Sequence, residues 1–305
     1  MKKIMVSGAT SMIGVALIDI AITKGAQVYA IVRHGTSRIN RLPQSNLVHI
    51  VEAGMDSYKE MDVPLTDCDV FFHFAWAGTN KTERDDPVVQ EANIRHTLDA
   101  VELAKACGCR KFIGAGSQAE YGPTEGSIDD SSRFKPVTAY GAAKLSAGIL
   151  SRKLCERYGI THIWGRIFSV YGRHDNDYTM ISYAIDKMLQ GETAEFSSGT
   201  QSWNYLNERD AGEIFYRLGD AIEETSEYRI ANDTSKPLRS YIEEIANLLK
   251  ADNLCRFSEN DGSKLYGLET TDDNLFAKIG YRPKISFISG INEVIESKRQ
   301  ERKLN

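Results

Sequence analysis

KKIMVSGATSMIG, residues 2–14, holds a short apolar run at 4–6 that breaks at Gly8 and becomes helical after Gly14. The order is strand, tight turn, helix, and it decides the fold class expected downstream. In a doubly wound α/β sheet such a turn points backbone amides and a helix N-terminus at a bound pyrophosphate, where the macrodipole favours negative charge. Gly8, Thr10, Ser11, Met12, Ile13 and Gly14 are therefore candidate ligand contacts. Ser11 stands where a middle glycine usually lets the backbone approach closely. Its hydroxyl either donates to a phosphate or is simply a tolerated small group.

Working outward, apolar runs at 27–32, 47–51, 70–74, 111–115 and 161–167 alternate with helix-period segments at about 12–24, 87–107 and 140–158. This predicts a parallel sheet of six strands covered on both faces, with a ligand lying across its carboxyl edge. After Arg166 the pattern changes: helices at roughly 178–190 and 238–250 sit among loops and imply a smaller second lobe. Residues 204–220 read as a further strand and helix returning to the sheet. The expected division is 1–168 with about 204–232 in one unit, and about 169–203 with 233–305 in the other.

With 305 residues, 42% hydrophobic and 26% charged, the chain can bury a large core in one big or two smaller units. A formal charge of -5 argues against a general nucleic-acid or anionic-membrane surface, yet allows a local basic pocket. No apolar run approaches the roughly 20 residues of a spanning helix. No secretory leader is expected either, since the N-terminus runs straight into the first strand. Cys68, Cys107, Cys109, Cys155 and Cys255 are an odd, scattered set that fits a reduced, cytoplasmic protein. The histidines form no HxxxH pair and do not cluster with these cysteines, so no metal is expected.

YGAAK, residues 140–144, places Tyr140 and Lys144 on one helix face, downstream of Ser117. Tyr183 and Lys187 repeat the spacing in an ordinary amphipathic stretch, so the pair alone says little. Its chemistry suits hydride transfer, which moves a proton at oxygen and needs an acid/base there. A free tyrosine, with pKa near 10, is poorly poised at neutral pH. An ammonium about 5 Å away at an effective dielectric of about 20 favours phenolate by about 3 kcal/mol, roughly 2 pKa units. Ser117, at a strand end, would hydrogen-bond a substrate oxygen as charge develops. The bland alternatives are a strand-end turn hydroxyl and an exposed helix pair.

Seven pieces in order, GATSMIG at 8–14, HFAW at 73–76, Asn93, GSQAEYG at 116–122, YGAAK, RIFSVYG at 166–172 and GTQSWNYLNERD at 199–210, resemble the extended short-chain dehydrogenase/reductase family. The resemblance covers nearly the whole chain. This family includes sugar-nucleotide epimerases, dehydratases and 4-ketoreductases. The resemblance implies a Rossmann-type doubly wound sheet, a catalytic triad of Ser117, Tyr140 and Lys144, and Lys144 on the nicotinamide ribose. It also implies a nucleoside diphosphate sugar as substrate and a homodimer built on the helices at 87–107 and 140–158. Ala75, Trp76 and Phe168 join the glycine turn as expected cofactor contacts.

Departures from the family pattern sharpen these expectations. After the second strand, VYAIVRHGTSR at 28–38 lacks the acid that would accept ribose hydroxyls, and carries Arg33 and Arg38 with Arg41 nearby. A guanidinium suits a 2′-phosphate, which favours NADP(H) over NAD(H), although Arg33 could equally stack on adenine or lie in solvent. Met55 stands where relatives often place Asp against adenine. Trp203 and Ser169 replace the usual Arg and Asn of the substrate lobe, and Arg173 or Arg239 could restore the lost charge. Ser117, Gln118, Ser169, Trp203 and Arg239 are the substrate candidates. Trp76 either shapes the sugar end or packs, and His73 reads as a satisfied core histidine. Dehydratases place an acidic pair directly after the catalytic Ser/Thr, where this chain has Gln118 and Ala119, with Glu120 one step late. The expected activity is NADPH-dependent reduction of a 4-keto sugar nucleotide. Its alternatives are a C4 epimerase with retained NAD and a non-enzymatic dinucleotide sensor.

Overall fold

The computed structural model describes residues 1–304 apart from 62–64, 81, 125, 260–266 and 271–273. In chain order it forms β1 (Lys3–Ser7), α1 (Met12–Thr23), β2 (Gln27–Val32), β3 (Val48–Glu52), β4 (Val70–His73), α2 (Pro87–Ala106), β5 (Lys111–Ser117), α3 (Ala139–Tyr158) and β6 (Thr161–Ile167). There follow β7 (Ser169–Tyr171), α4 (Met180–Leu189), β8 (Ala194–Phe196), β9 (Ser202–Trp203), β10 (Tyr205–Asn207), α5 (Glu208–Ala221) and β11 (Ser226–Ile230). The chain closes with β12 (Lys236–Pro237), α6 (Leu238–Leu249), β13 (Cys255–Phe257), α7 (Leu275–Ile279) and α8 (Phe287–Leu304).

The main sheet is parallel, in the order β11-β6-β5-β4-β1-β2-β3. All six expected strands are present, their ends displaced by at most two residues. Side chains that alternate along each strand feed two separate cores, as the period of two requires. Ile4, Val6, Phe72 and Ile113 pack on the face covered by α1 and α5, whereas Met5, Phe71 and Phe112 pack on the face covered by α2 and α3. Burying each phenylalanine contributes roughly 1.5–3 kcal/mol. A third cluster, with Tyr171, Ile185, Tyr205, Tyr241, Ile245 and Ile291, joins α4, α6 and α8 to the short strands.

The expectation for 204–220 needs correcting. Its helix, α5, does return to cover the sheet against α1, but its strand β10 pairs with β7 outside the main sheet. The seventh strand is β11 instead, paired with β6. Its sequence SEYRI shows no apolar run because Arg229 is buried and paired with Asp130 at 2.8 Å, while Tyr228 and Ile230 supply the core contacts.

Trp164 on β6 fixes how closely α3 lies over β5. Its indole fills the space left by Gly114 and Gly116 on β5 and Gly148 on α3, and a Cβ at any of the three would overlap it. No helix among the described residues is long and apolar enough to cross a membrane. Those residues also contain no cluster of three or more His, Cys, Asp or Glu able to hold a metal ion.

Candidate active site

The carboxyl ends of β1, β4 and β5 converge beneath the start of α3. At the end of β1, Gly8 takes φ +67°, a left-handed conformation that costs other residues roughly 1–2 kcal/mol. A Cβ there would also stand 2.6 Å from the Ala75 nitrogen. One at Gly14 would meet the Gly8 carbonyl oxygen at 2.5 Å, so side chains would close this cradle. Ser11 caps α1, its Oγ accepting the Gly14 N–H at 3.1 Å, which leaves the hydroxyl hydrogen able to donate outward. No acid occupies the first turn of α1. A turn this tight, with an unopposed helix N-terminus, fits a dinucleotide pyrophosphate.

Ser117 ends β5 and caps the short turn at 118–120, its Oγ accepting the Ala119 N–H at 3.2 Å. Glu120 closes a capping box by accepting the Ser117 N–H at 2.8 Å. The same buried carboxylate accepts Trp164 Nε1–H at 3.0 Å and Arg166 Nε–H at 2.6 Å, and Arg166 pairs further with Glu227 at 2.7 Å. Thr138 caps α3 through Gly141 N–H at 3.1 Å, which fixes Tyr140 and Lys144 in the opening turns.

Lys144 is 4% exposed, donates to the Ala115 carbonyl at 2.7 Å and lies 3.6 Å from the centre of the Trp76 ring. Burial pushes its ammonium down to about 7; Glu120 opposes that shift and Arg84 adds to it. Enclosure raises the Tyr140 phenol, against Arg84 and a hydrogen bond from Ser117. Trp76 meets Tyr140 edge-on, with ring centres 6.0 Å apart, and is anchored through Nε1–H to Gln90 Oε1 at 2.9 Å. It therefore packs and faces the cavity at once. His73 is indeed a core group, bonded to Ser7 and Thr97 and pushed down to about 3 by burial.

A cavity of about 530 Å³ brings together Ser11, Met12, Ile13, Arg38, Trp76, Ser117, Gln118, Tyr140, Lys144, Phe168, Ser169 and Trp203. Gly8, Thr10, Gly14 and Ala75 belong to the turn and strand end that frame it. Three candidates are not brought there. Arg33 is exposed at the end of β2, and Met55 packs with the core beneath α2. Arg239 stacks on Phe257, pairs with Glu243 and lines a separate groove of about 660 Å³ outside α6, remote from the triad. Arg173, offered as an alternative, is held by Glu208 at 3.0 Å.

The cavity also collects residues the sequence reading missed: Arg84, His174, Asp175, Thr179 and Tyr205. Burial raises Asp175 to about 6 against a hydrogen bond from Thr179, and lowers His174 to about 4. Their only signal was the polar run RHDND directly after RIFSVYG. Trp203 Nε1 is buried and interacts with the Tyr205 side chain without forming a well-aligned hydrogen bond. The site thus offers a phenol, an amine of lowered basicity and a serine hydroxyl, enough to exchange a proton at one oxygen.

The sequence matches the family model described as the NAD dependent epimerase/dehydratase family over residues 4–232. It is 24% identical over 216 residues to dTDP-D-glucose 4,6-dehydratase of Homo sapiens, covering 68% of this chain and 62% of that protein's length. UDP-N-acetylglucosamine 4-epimerase from Methanobrevibacter ruminantium M1, solved with UDP-N-acetylmuramic acid, matches with TM-score 0.87 and 20% identity over 98% of this chain and 99% of that one. UDP-glucuronic acid 4-epimerase from Bacillus cereus, solved with NAD, matches with TM-score 0.84 and 20% identity, again over 98% and 99%. At these identities the structural likeness is one of fold.

Proposed function

The chain belongs to the NAD-dependent epimerase/dehydratase family, enzymes of the extended short-chain dehydrogenase/reductase type acting on sugar nucleotides, and from that premise we propose that it is a nucleotide-sugar 4-epimerase. One observation carries the choice of reaction within the family. The turn after Ser117 supplies no free acid for eliminating water: Gln118 and Ala119 come first, and Glu120 is committed to Arg166, Trp164 and the Ser117 N–H. Proton exchange at the sugar oxygen then falls to Ser117, Tyr140 and Lys144, which is what epimerisation by oxidation and return requires. The 4-epimerase neighbours support the same reading over the expected reductase.

In this reading Tyr140 Oη takes the proton of the sugar hydroxyl and later returns it. Ser117 Oγ–H donates to the same oxygen as its charge develops. A bound dinucleotide would supply the hydride acceptor and donor. Gly8, Ser11 and Gly14 would hold its pyrophosphate and Lys144 its ribose. Gln118, Ser169, Asp175, Thr179 and the Trp203 N–H would hold the sugar nucleotide, so residues 169–203 would contribute to its lobe.

The test is incubation of purified protein with UDP-glucose, UDP-N-acetylglucosamine or UDP-glucuronic acid without added dinucleotide. Two 4-epimers should interconvert with no net change in nicotinamide absorbance. Arg38 and Arg41, which line the cavity, favour a second reading, reduction of a 4-keto sugar by NADPH. Oxidation of one NADPH per keto sugar, with no interconversion of alcohol sugars, would replace the first reading by the second.

A further inference from the structure

Arg84 lies between β4 and α2 in a segment without any motif. Its carbonyl accepts the Tyr140 N–H at 3.1 Å, and Asp85 Oδ1 accepts the Ala139 N–H at 2.7 Å, so this segment is fastened to the opening turn of α3. The fastening sets the side chain over its target: the Arg84 guanidinium carbon stands 4.1 Å from the centre of the Tyr140 ring. The side chain also lines the cavity, and it makes no ion pair among the described residues.

The other groups around Tyr140 do not supply a constant positive charge. Lys144, on the same helix, stands 5.8 Å from the ring centre, and burial leaves it only partly protonated at neutral pH. Ser117 and Trp76 carry no charge, Tyr178 faces Tyr140 from the segment before α4, and Glu120 is paired with Arg166. A guanidinium stays charged at every pH the protein tolerates.

We propose that Arg84 is a positioning residue that acts through Tyr140, its guanidinium stacked on the Tyr140 ring and stabilising the phenolate that takes the proton from the sugar hydroxyl. The proposal rests on the epimerase reading for its substrate. In the step, the hydroxyl O–H bond breaks and its proton passes to Tyr140 Oη. The adjacent C–H bond breaks with its electron pair leaving as hydride to an oxidised nicotinamide, and the C=O bond forms. Return of proton and hydride reverses each change.

Two titrations of purified protein, free of substrate, test the idea. One follows the Lys144 ammonium by NMR in lysine-labelled protein, assigned by its loss in Lys144→Met. The other follows phenolate absorbance as the difference from Tyr140→Phe. In Arg84→Gln both pKa values should rise, since a nearby cation disfavours a second ammonium and favours a phenolate. Arg84→Lys should return both towards wild type. Simple loosening of the site would raise Lys144 but lower Tyr140, because burial pushes the two in opposite directions. That divergent result, or no movement of either, overturns the proposal. With a UDP-sugar substrate, Arg84→Gln should lower kcat about tenfold at pH 7, the phenolate loss expected from one pKa unit, with KM unchanged and the rate recovering at higher pH. A raised KM with unmoved titrations would make Arg84 a substrate-binding residue and overturn its role through Tyr140. If both titrations rise but wild-type protein turns over no sugar nucleotide, the epimerase reading fails and the electrostatic role of Arg84 stands.

Discussion

Replacing Lys144 by methionine should stabilise the protein at neutral pH and destabilise it in alkali. An unfolded lysine takes up its proton below 10.5, whereas buried Lys144 does so only below about 7. Between those values unfolding binds a proton, so stability falls as pH drops from 10.5 towards 7, and the penalty is complete below about 7. The gap corresponds to about 5 kcal/mol. Methionine removes this penalty but leaves the Ala115 carbonyl without its donor, a cost of about 1–2 kcal/mol. Lys144→Met should therefore exceed wild type by about 3 kcal/mol at pH 6 and fall below it by pH 10, the two curves crossing near pH 9. Urea unfolding of both proteins from pH 6 to 10, without added dinucleotide, reads this directly. Curves that run parallel would show that Lys144 keeps an ordinary pKa in the fold and would sink the argument.

Two further outcomes follow from the same site. Tyr140→Phe should keep the fold and bind NAD within a few-fold of wild type while losing at least about 100-fold in turnover; a near wild-type rate would remove Tyr140 as acid/base. Glu120→Gln should cost about 3 kcal/mol by urea unfolding, because it strips a fully buried partner from Arg166. Glu227→Gln, at a side chain that is itself a third exposed, should cost under about 1 kcal/mol, and equal costs would contradict the distinction.

The sheet was legible because its strands carry their own signal: apolar runs such as FIGA or VFF are buried on both faces and need no partner to be recognised. β11 was not, since the burial of Arg229 depends on Asp130, 99 residues away in the chain. That Ser117, Tyr140 and Lys144 meet in one cavity was legible because motif order survives in sequence. Arg84 was invisible for the opposite reason, its position over Tyr140 being created by backbone bonds between distant segments. Arg239 misled because a cation in a polar run looks alike whether it faces a cavity or, as here, a neighbouring phenylalanine. Spacing encodes what one element does; it is silent on what two elements bring together.

Trp164 and its three glycines occupy one shared volume, so these four positions are not free to drift independently. Enlarging a glycine first collides with the indole, and shrinking the tryptophan first leaves a void and deprives Glu120 of a donor. Neither order of events passes through a well-packed intermediate. Paired exchange, small for large across the contact, is the open route, and it must also rehouse the carboxylate that steadies Ser117. A mutational library that varies these sites one at a time would sample only damaged proteins, whereas one that couples them could reshape the floor of the cavity.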